Sequence, residues 1–405
     1  MALRTITPTP QPSLQGVAQV STGGRVPLGI SADRSRVYFG GGDIGSNNLF
    51  ESTDDGATPT LIATFAAGTN VNGFFETDDG EAVITTLTGG TANSTSSLLW
   101  KSSGWSTNRA TATWSTKLST TDPKVYFRSI WGFNAWCKGP NGILFAVQYG
   151  PQTSVTGITV WATKVYKSTD HGNTWALNLD LAARYPAPGG SIHCHAIAYD
   201  AVWDRWWLTW GDNQADEPGA AAGSGQYWAP ILYSDDHGAT WVRGVAIPAD
   251  DYASSPQIRY QSTAIAPMQD CILFGCDSPP YGVNRITRKG YRQMGPIHNA
   301  SLDYAADVLL TAGGLAMEFP KPAAPGLPQM LAFNQTAGAA SDMDVKIMAT
   351  RDGFDIREVY SAPALSGSGG IVHGPIGPTL TGNVVAANTD GGTANRLTGQ
   401  LVWED

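Results

Sequence analysis

Charged residues are scarce in this sequence, and long apolar runs are missing. Only 15% of the 405 residues are charged, and the net charge is −9. Binding to nucleic acid or to an anionic membrane needs a basic surface, so this balance argues against both kinds of partner. No run reaches the roughly 18 apolar residues of a membrane-spanning helix, and the N-terminus lacks the apolar core of a signal peptide. We therefore expect that the protein does not insert into a membrane, and that it is made in a cytosol or is already mature.

Cysteine is also rare, and its spacing fits neither a zinc site nor a local disulfide. The sequence has four cysteines, of which Cys271 and Cys276 flank one predicted strand. In an extended strand their Cα atoms lie about 17 Å apart, too far for a disulfide bridge. We expect four buried thiols, no cofactor and no metal ion.

Helical periodicity is missing as well, whereas turn-forming and aromatic residues are plentiful. No long segment repeats its apolar residues at the helical spacing. The chain has 47 Gly, 25 Pro and 14 Trp. Many short strands joined by tight turns have this composition. The sequence predicts an all-β fold.

A short pattern, Ser-x-Asp-x-Gly-x-Thr-Trp, occurs at Ser168–Trp175 and again at Ser234–Trp241, and Ser52–Pro59 matches it except at the Trp. Ser and Asp side chains can bond the backbone of a tight turn, and Gly supplies its positive φ. Apolar residues precede the copies, so each copy reads as a hairpin turn with a Trp that anchors the next strand. The residues to which we assign this structural role are Ser52, Asp54, Gly56, Ser168, Asp170, Gly172, Trp175, Ser234, Asp236, Gly238 and Trp241.

The turns belong to a longer cycle of four strands, in which the turn joins the third strand to the fourth. Seven cycles in 405 residues average about 58 residues each, the size of a four-stranded propeller blade. The seventh cycle lacks a fourth strand, and Gly16–Ser21 is a strand without a cycle, so pairing the two would close a ring. We predict a seven-bladed β-propeller of four-stranded antiparallel blades, with six blades as the alternative. Residues 1–15 are predicted to be an extended attachment segment, and residues 16–405 a single domain.

The repeated turns resemble the Asp-boxes of the sialidase-like (BNR repeat) β-propellers. The stretch from His193 through Asp212 to the turn at Ser234–Trp241, with Cys276-Asp277-Ser278-Pro279 further on, is also similar to uncharacterised BNR-type proteins of bacteria and their phages. The resemblance implies that the boxes are structural and lie on the face away from the active centre. Sialidases of this family also carry an early Phe/Tyr-Arg-Ile-Pro motif, whereas the corresponding place here reads Arg25-Val26-Pro27-Leu28. The sequence thus departs from the catalytic signature of that family.

Candidate ligand residues are expected on the face opposite the boxes, where second strands end and inner strands begin. They are Asp43, Arg128, Tyr149, His193, His195, Asp212, Tyr227, Arg259, Asp277 and Asp390. An Asp at a strand end can equally be a turn residue that bonds its own backbone. His193 and His195 share a face of their strand, where packing or hydrogen bonding is the simpler role.

Three functions remain open at this point. The first is a non-catalytic binding or structural module, most simply a minor tail or receptor-binding protein of a bacteriophage virion. Its partner would be a surface glycan or a neighbouring virion protein, and a homo-oligomer is left open. The second is a sialidase-like or other glycan-cleaving hydrolase, or a lyase, that uses the carboxylates of Asp43, Asp212 and Asp277. The third is a propeller scaffold for protein contacts inside the cell. A virion location follows from the first function, and a cytoplasmic one otherwise.

Overall fold

The structure is a computed structural model of the whole chain. It describes residues 11–21, 25–41, 45–89, 96–120, 125, 127, 136–150, 154–155, 158–159, 162–184, 192–212, 231–245, 262–276, 282–287, 293–294, 329–333, 344–350, 353, 357–363, 371–390 and 393–404. These residues form 29 strands and three single-turn helices. Within these ranges no helix has the length and apolarity needed to cross a membrane.

Strands account for most of the described residues. In order, they are β1 (Gln11–Ser21), β2 (Val26–Ile30), β3 (Val37–Gly40), β4 (Asn48–Ser52), β5 (Thr60–Thr64), β6 (Thr69–Glu76), β7 (Ala82–Thr88), β8 (Ser96–Ser103), β9 (Thr113–Thr120), β10 (Trp136–Lys138), β11 (Leu144–Val147), β12 (Ser154–Val155), β13 (Ile158–Thr159), β14 (Lys164–Ser168), β15 (Ala176–Asp180), β16 (Ile192–Asp200), β17 (Arg205–Asp212), β18 (Ile231–Ser234), β19 (Val242–Val245), β20 (Ser262–Pro267), β21 (Cys271–Cys276), β22 (Gly282–Thr287), β23 (Gln293–Met294), β24 (Gln329–Phe333), β25 (Asp344–Thr350), β26 (Arg357–Pro363), β27 (Ile371–Ile376), β28 (Asn383–Asp390) and β29 (Thr393–Glu404). The α-helix α1 (Leu181–Arg184) follows β15, and 3-10 turns occupy Arg109–Thr111 and Pro140–Gly142.

Antiparallel sheets of up to four strands make this an all-β propeller. Five blades are built from strands that follow in sequence: β2–β5, β6–β9, β10–β11–β14–β15, β16–β19 and β20–β23. Inner strands of successive sheets touch: β2 contacts β6 and β27, and β16 contacts β10 and β20. Sheets arranged in this way bury both of their faces against neighbours.

The predicted number of blades is wrong. Besides the five blades, the described residues form a four-stranded sheet β1–β29–β28–β27, a three-stranded sheet β24–β25–β26 and the hairpin β12–β13. Neither seven four-stranded blades nor the six-bladed alternative is present in this part of the chain. The repeat predicts four strands in the sixth cycle and places the first of them at residues 306–311, which lie outside the described residues. Alternation of apolar residues marks strands but does not show which of them complete a sheet.

The two ends of the chain meet in one sheet. Strand β1 pairs antiparallel with β29, from Gln11 opposite Glu404 to Ser21 opposite Asn395. The register shifts between Gln15 and Ala18, where Gly16 has a φ of 63°. The predicted pairing of the N- and C-terminal strands is therefore confirmed. Pairing begins at Gln11, so residues 11–15, expected in the attachment segment, lie in the sheet.

The core lies between neighbouring blades rather than inside a single sheet. Trp206 of β17 packs edge-to-face on Phe145 of β11, with ring centroids 4.5 Å apart. On the other side of the same sheet, Trp207 meets Phe274 of β21 at 5.9 Å. Because Trp206 and Trp207 point to opposite faces of one strand, the two rings join three successive blades. Core packing therefore accounts for these two tryptophans.

The cysteines follow the expectation only in part. Cys194 and Cys271 are buried thiols, whereas Cys137 is only half-buried. The side chain of Cys276 lies outside the described residues. Cys137 lies in the short strand β10.

The three repeated turns share one hydrogen-bond pattern. In the turn that follows β14, the Ser168 hydroxyl donates to Asp170 and accepts from the Gly172 amide, both at 2.8 Å. Asp170 also accepts from the amide and the hydroxyl of Thr174, at 2.8 and 2.7 Å. The turns at Ser52 and Ser234 have the same bonds. In each turn, one carboxylate thus accepts hydrogen bonds from the first residue, a Ser, and from a Thr near the end of the turn.

Candidate functional site

The strand ends opposite the repeated turns carry an aromatic and imidazole cluster. Strand β16 runs from this edge towards the edge of the turns, because Ile192 pairs with Asp212 whereas Trp206, near the other end of β17, pairs with Ser234. His193 lies beside Gly211 in the same ladder. The histidines therefore lie towards the edge away from the turns, as the sequence predicted for ligand residues.

His193 and His195 face each other with the same ring atom. Their Nε2 atoms are 2.9 Å apart and their ring centroids 4.7 Å apart. The register of β16 against β17 shifts between Cys194 and Ala196, so a β-bulge lies at His195. Bulges re-aim side chains, and this one lies at the point where the two rings converge. Both side chains are buried, with 2% and 0% exposure.

Tyr149 of the preceding blade joins the pair. Its ring packs edge-to-face on His193 at 4.3 Å and lies 6.3 Å from His195. Tyr149 lies two residues after the end of β11, at the same edge, and it is half-buried. The cluster therefore spans two neighbouring blades, and Tyr149 is its most exposed ring.

The backbone between the two histidines is fixed from two sides. The Cys194 amide donates to the carbonyls of Gln148 and Ala162, each at 3.1 Å. Gln148 is itself buried, and its side-chain oxygen accepts from the Lys164 amide at 3.3 Å. Gln148 was missed in the sequence because nothing in its spacing marks a residue whose carbonyl supports a neighbouring blade.

Negative charge lies close to this segment. Burial raises the pKa of the Cys194 thiol, and the charge of Asp180 raises it further. The thiol therefore stays protonated and is neither a nucleophile nor a ready metal ligand. Asp180 is held at the end of β15 by the Thr163 hydroxyl, which donates to its carboxylate at 2.8 Å.

The chemistry available to the pair follows from its geometry. An N–H···N bond between two Nε2 atoms needs one ring to donate and the other to accept. If both rings were protonated, two donors and two positive charges would face each other at 2.9 Å. The pair thus favours sharing one proton, or holding a cation between the two rings.

The structure brings together three of the predicted ligand residues: Tyr149, His193 and His195. Asp212 and Asp390 end β17 and β28, and Asp212 pairs beside His193, but their side chains are outside the described residues. The other predicted residues also lie outside the described part of the chain. These are Asp43, Arg128, Tyr227, Arg259 and Asp277.

A second polar cluster, which the sequence did not reveal, lies between the first two blades. The buried Tyr38 hydroxyl donates to Glu76 at 2.9 Å and accepts from Arg109 Nε at 3.1 Å. Trp105 Nε1 also donates to Glu76, at 3.1 Å. Burial, and then the charge of Glu76, raises the Tyr38 pKa, so the phenol stays protonated. With Tyr38 fully buried, this cluster connects blades rather than contacting a ligand.

No protein-family model matches this chain, and no curated protein matches it. One similar solved chain belongs to the crystal structure of the mitotic checkpoint complex, with 8% identity, a TM-score of 0.53, and coverage of 100% of this chain and 99% of that chain. A PL25 polysaccharide lyase, an ulvan lyase, has 12% identity and a TM-score of 0.48, covering 96% and 98%. The Hadza microbial sialidase Hz136 has 10% identity and a TM-score of 0.42, covering 89% and 74%. At these identities the likeness concerns the fold alone, an all-β propeller.

Proposed function

We propose that this chain is a non-catalytic propeller that acts as a binding module, a minor tail or receptor-binding protein of a bacteriophage virion. The observation that carries the proposal is the burial of His193 and His195 against each other. Histidines that are buried and bonded to each other in this way stabilise the site rather than attack a substrate. Glycosidases that use paired carboxyl groups hold them about 5–9.5 Å apart, whereas the described side chains of this cluster are two imidazoles and a phenol.

The exposed part of the cluster suits recognition of a sugar. Tyr149 is half-buried, and its ring is braced edge-to-face by His193. A tyrosine held in this way presents an apolar ring and a hydroxyl, which is the combination that stacks on a sugar ring and bonds its hydroxyl groups. We infer that the partner is a surface glycan, contacted at the edge opposite the repeated turns.

The virion assignment is supported by the sequence. Gly and Pro are abundant and the first residues are rich in Pro and Thr, which suits an extended segment that attaches the module to a larger particle. A gene for this chain is accordingly expected among tail genes.

A glycan array with the purified chain tests the binding role, with Tyr149→Ala and Tyr149→Phe as a matched pair. We expect the Phe variant to keep most of the signal, because the ring remains, and the Ala variant to lose it. Equal binding by the wild type and Tyr149→Ala would contradict the site.

Turnover of labelled glycosides tests the catalytic alternative. We expect no turnover by the wild-type chain. Turnover that is abolished by Asp212→Ala would overturn the non-catalytic proposal and assign the catalytic role to a strand-end carboxylate.

A further inference from the structure

The histidine pair has a property that sugar binding does not use. Two buried imidazoles present the same atom, Nε2, to each other at 2.9 Å. The i, i+2 spacing and the bulge at His195 bring the rings together on one strand, so a single element sets their separation. The Nε2 atom of a neutral imidazole is a common metal ligand.

The separation fits one metal ion shared by both rings. Zinc–nitrogen bonds are about 2.0–2.1 Å long, so two nitrogens at a right angle around one ion lie about 2.9 Å apart. A tetrahedral angle would need about 3.3–3.4 Å, a movement of a few tenths of an ångström. The distance between the two Nε2 atoms therefore matches that of adjacent ligands on one ion.

The surroundings fix the two rings in this arrangement. The Cys194 amide, bonded to Gln148 and Ala162, fixes the backbone between the rings, and Tyr149 packs on His193. Ligands that are already held in the binding geometry favour the binding of an ion.

We propose that His193 and His195 bind a divalent transition-metal ion, such as Zn²⁺ or Cu²⁺, through their Nε2 atoms. Among the described residues, no group of three His, Cys, Asp or Glu side chains could hold a metal. The two imidazoles are then the protein ligands that this part of the chain supplies. The inference does not depend on the proposed function, because it rests on the pair alone.

Isothermal titration of the untagged chain with Zn²⁺ and with Cu²⁺ tests the proposal, and the Cu²⁺ complex is also examined by electron paramagnetic resonance. We expect one site per chain and a spectrum with two imidazole nitrogens bound to copper. His195→Ala and His193→Ala should each weaken binding by more than about tenfold. His237→Ala is the matched control, since that histidine lies in a repeated turn at the opposite edge and should leave binding unchanged.

His195→Gln covers the case in which an alanine variant fails to fold, because it retains a polar side chain at the bulge. With folding verified by circular dichroism, loss of the copper signal in this variant supports the site. Absence of binding by the wild type, or binding that survives in the folded His195→Gln and His193→Ala variants, would overturn the proposal and leave the pair as an N–H···N hydrogen bond.

Discussion

The turns of the second and third blades are each held by a carboxylate that accepts hydrogen bonds, but the two carboxylates come from different parts of the chain. In the third blade, Asp170 within the turn accepts from Ser168 and Thr174. The second blade has Lys101-Ser102-Ser103-Gly104-Trp105 and no Asp in its turn. There, Glu81 from the start of the neighbouring strand accepts from the Ser102 hydroxyl at 2.6 Å and from the Gly104 and Trp105 amides at 3.0 and 3.1 Å.

The two turns share a glycine conformation and a carboxylate, although only the turn of the third blade has the full sequence pattern. The glycine keeps the same conformation in both, with a φ of 86° at Gly104 and 87° at Gly172. A carboxylate that accepts backbone amides is present in both as well. What differs is the chain segment that supplies it. The backbone of the turn is therefore the constant feature, and the position of the acid can change.

The largest expected effect is a difference in the free energy of unfolding between alanine variants of two glycines with nearly the same φ. A Cβ at Gly238, where φ is 88°, would lie 2.6 Å from Phe145 Cζ, whereas one at Gly104 would meet nothing within 4 Å. We expect Gly238→Ala to lower the free energy of unfolding by about 2–5 kcal/mol, and Gly104→Ala by about 1–2 kcal/mol. Chemical denaturation measures both, and equal losses would contradict the packing argument.

Removing either carboxylate should have the next largest effect. We expect Asp170→Ala and Glu81→Ala each to reduce the free energy of unfolding by about 1–3 kcal/mol, because each leaves backbone amides without their acceptor. Denaturation curves of the two variants, measured alongside the glycan array, check this. A large change in glycan binding with unaltered stability would mean that the turns lie at the ligand-binding edge.

Lowering the pH should reduce the stability of the turns that contain their own Asp. Hydrogen bonds from the Thr240 hydroxyl and amide lower the pKa of Asp236 to about 2. An Asp in the unfolded chain has a pKa of about 3.9, so the stabilisation from this carboxylate is complete above that pH and is lost as the pH falls towards 2. Asp236→Asn should therefore reduce the dependence of stability on pH between about 4 and 2. Denaturation at several pH values measures the slope, and an unchanged slope would refute this.

The smallest effect is expected from the ion pair beside the fourth-blade turn. Arg205 contacts Asp235 through two bonds of 2.6 and 2.9 Å, but the Asp235 side chain is 53% exposed. Water screens such a pair, so Asp235→Ala should cost about 0–1 kcal/mol. Arg205 also lies 4.0 Å from the Tyr233 ring, and that packing remains in the variant. A loss comparable to that of Asp170→Ala would show that the ion pair is part of the turn.

Local chemistry made some features of the molecule predictable. The Ser, Asp and Gly of the turns act within a few residues of one another, so their spacing alone identified them. The pairing of the chain ends followed from one unpaired strand at the start and one missing strand at the end. Glu81 escaped prediction because it reaches its turn from a neighbouring strand, which the spacing of the turn residues cannot show.

The site was less predictable than the turns. His193 and His195 are candidates because they lie where an inner strand begins, but their mutual contact depends on a bulge that their spacing does not reveal. Tyr149 comes from another blade, and its approach to His193 depends on how two sheets pack. The number of blades failed for a similar reason, since apolar alternation does not record which strands pair.

The union of β1 with β29 sets an order of events during synthesis. The first of these strands leaves the ribosome long before its partner exists, so it must wait as an exposed edge while the intervening blades assemble. Any chain released before residue 393 would keep that edge open for strands of other molecules. The sheet that joins the two chain ends can therefore form only after β29 has been fully translated.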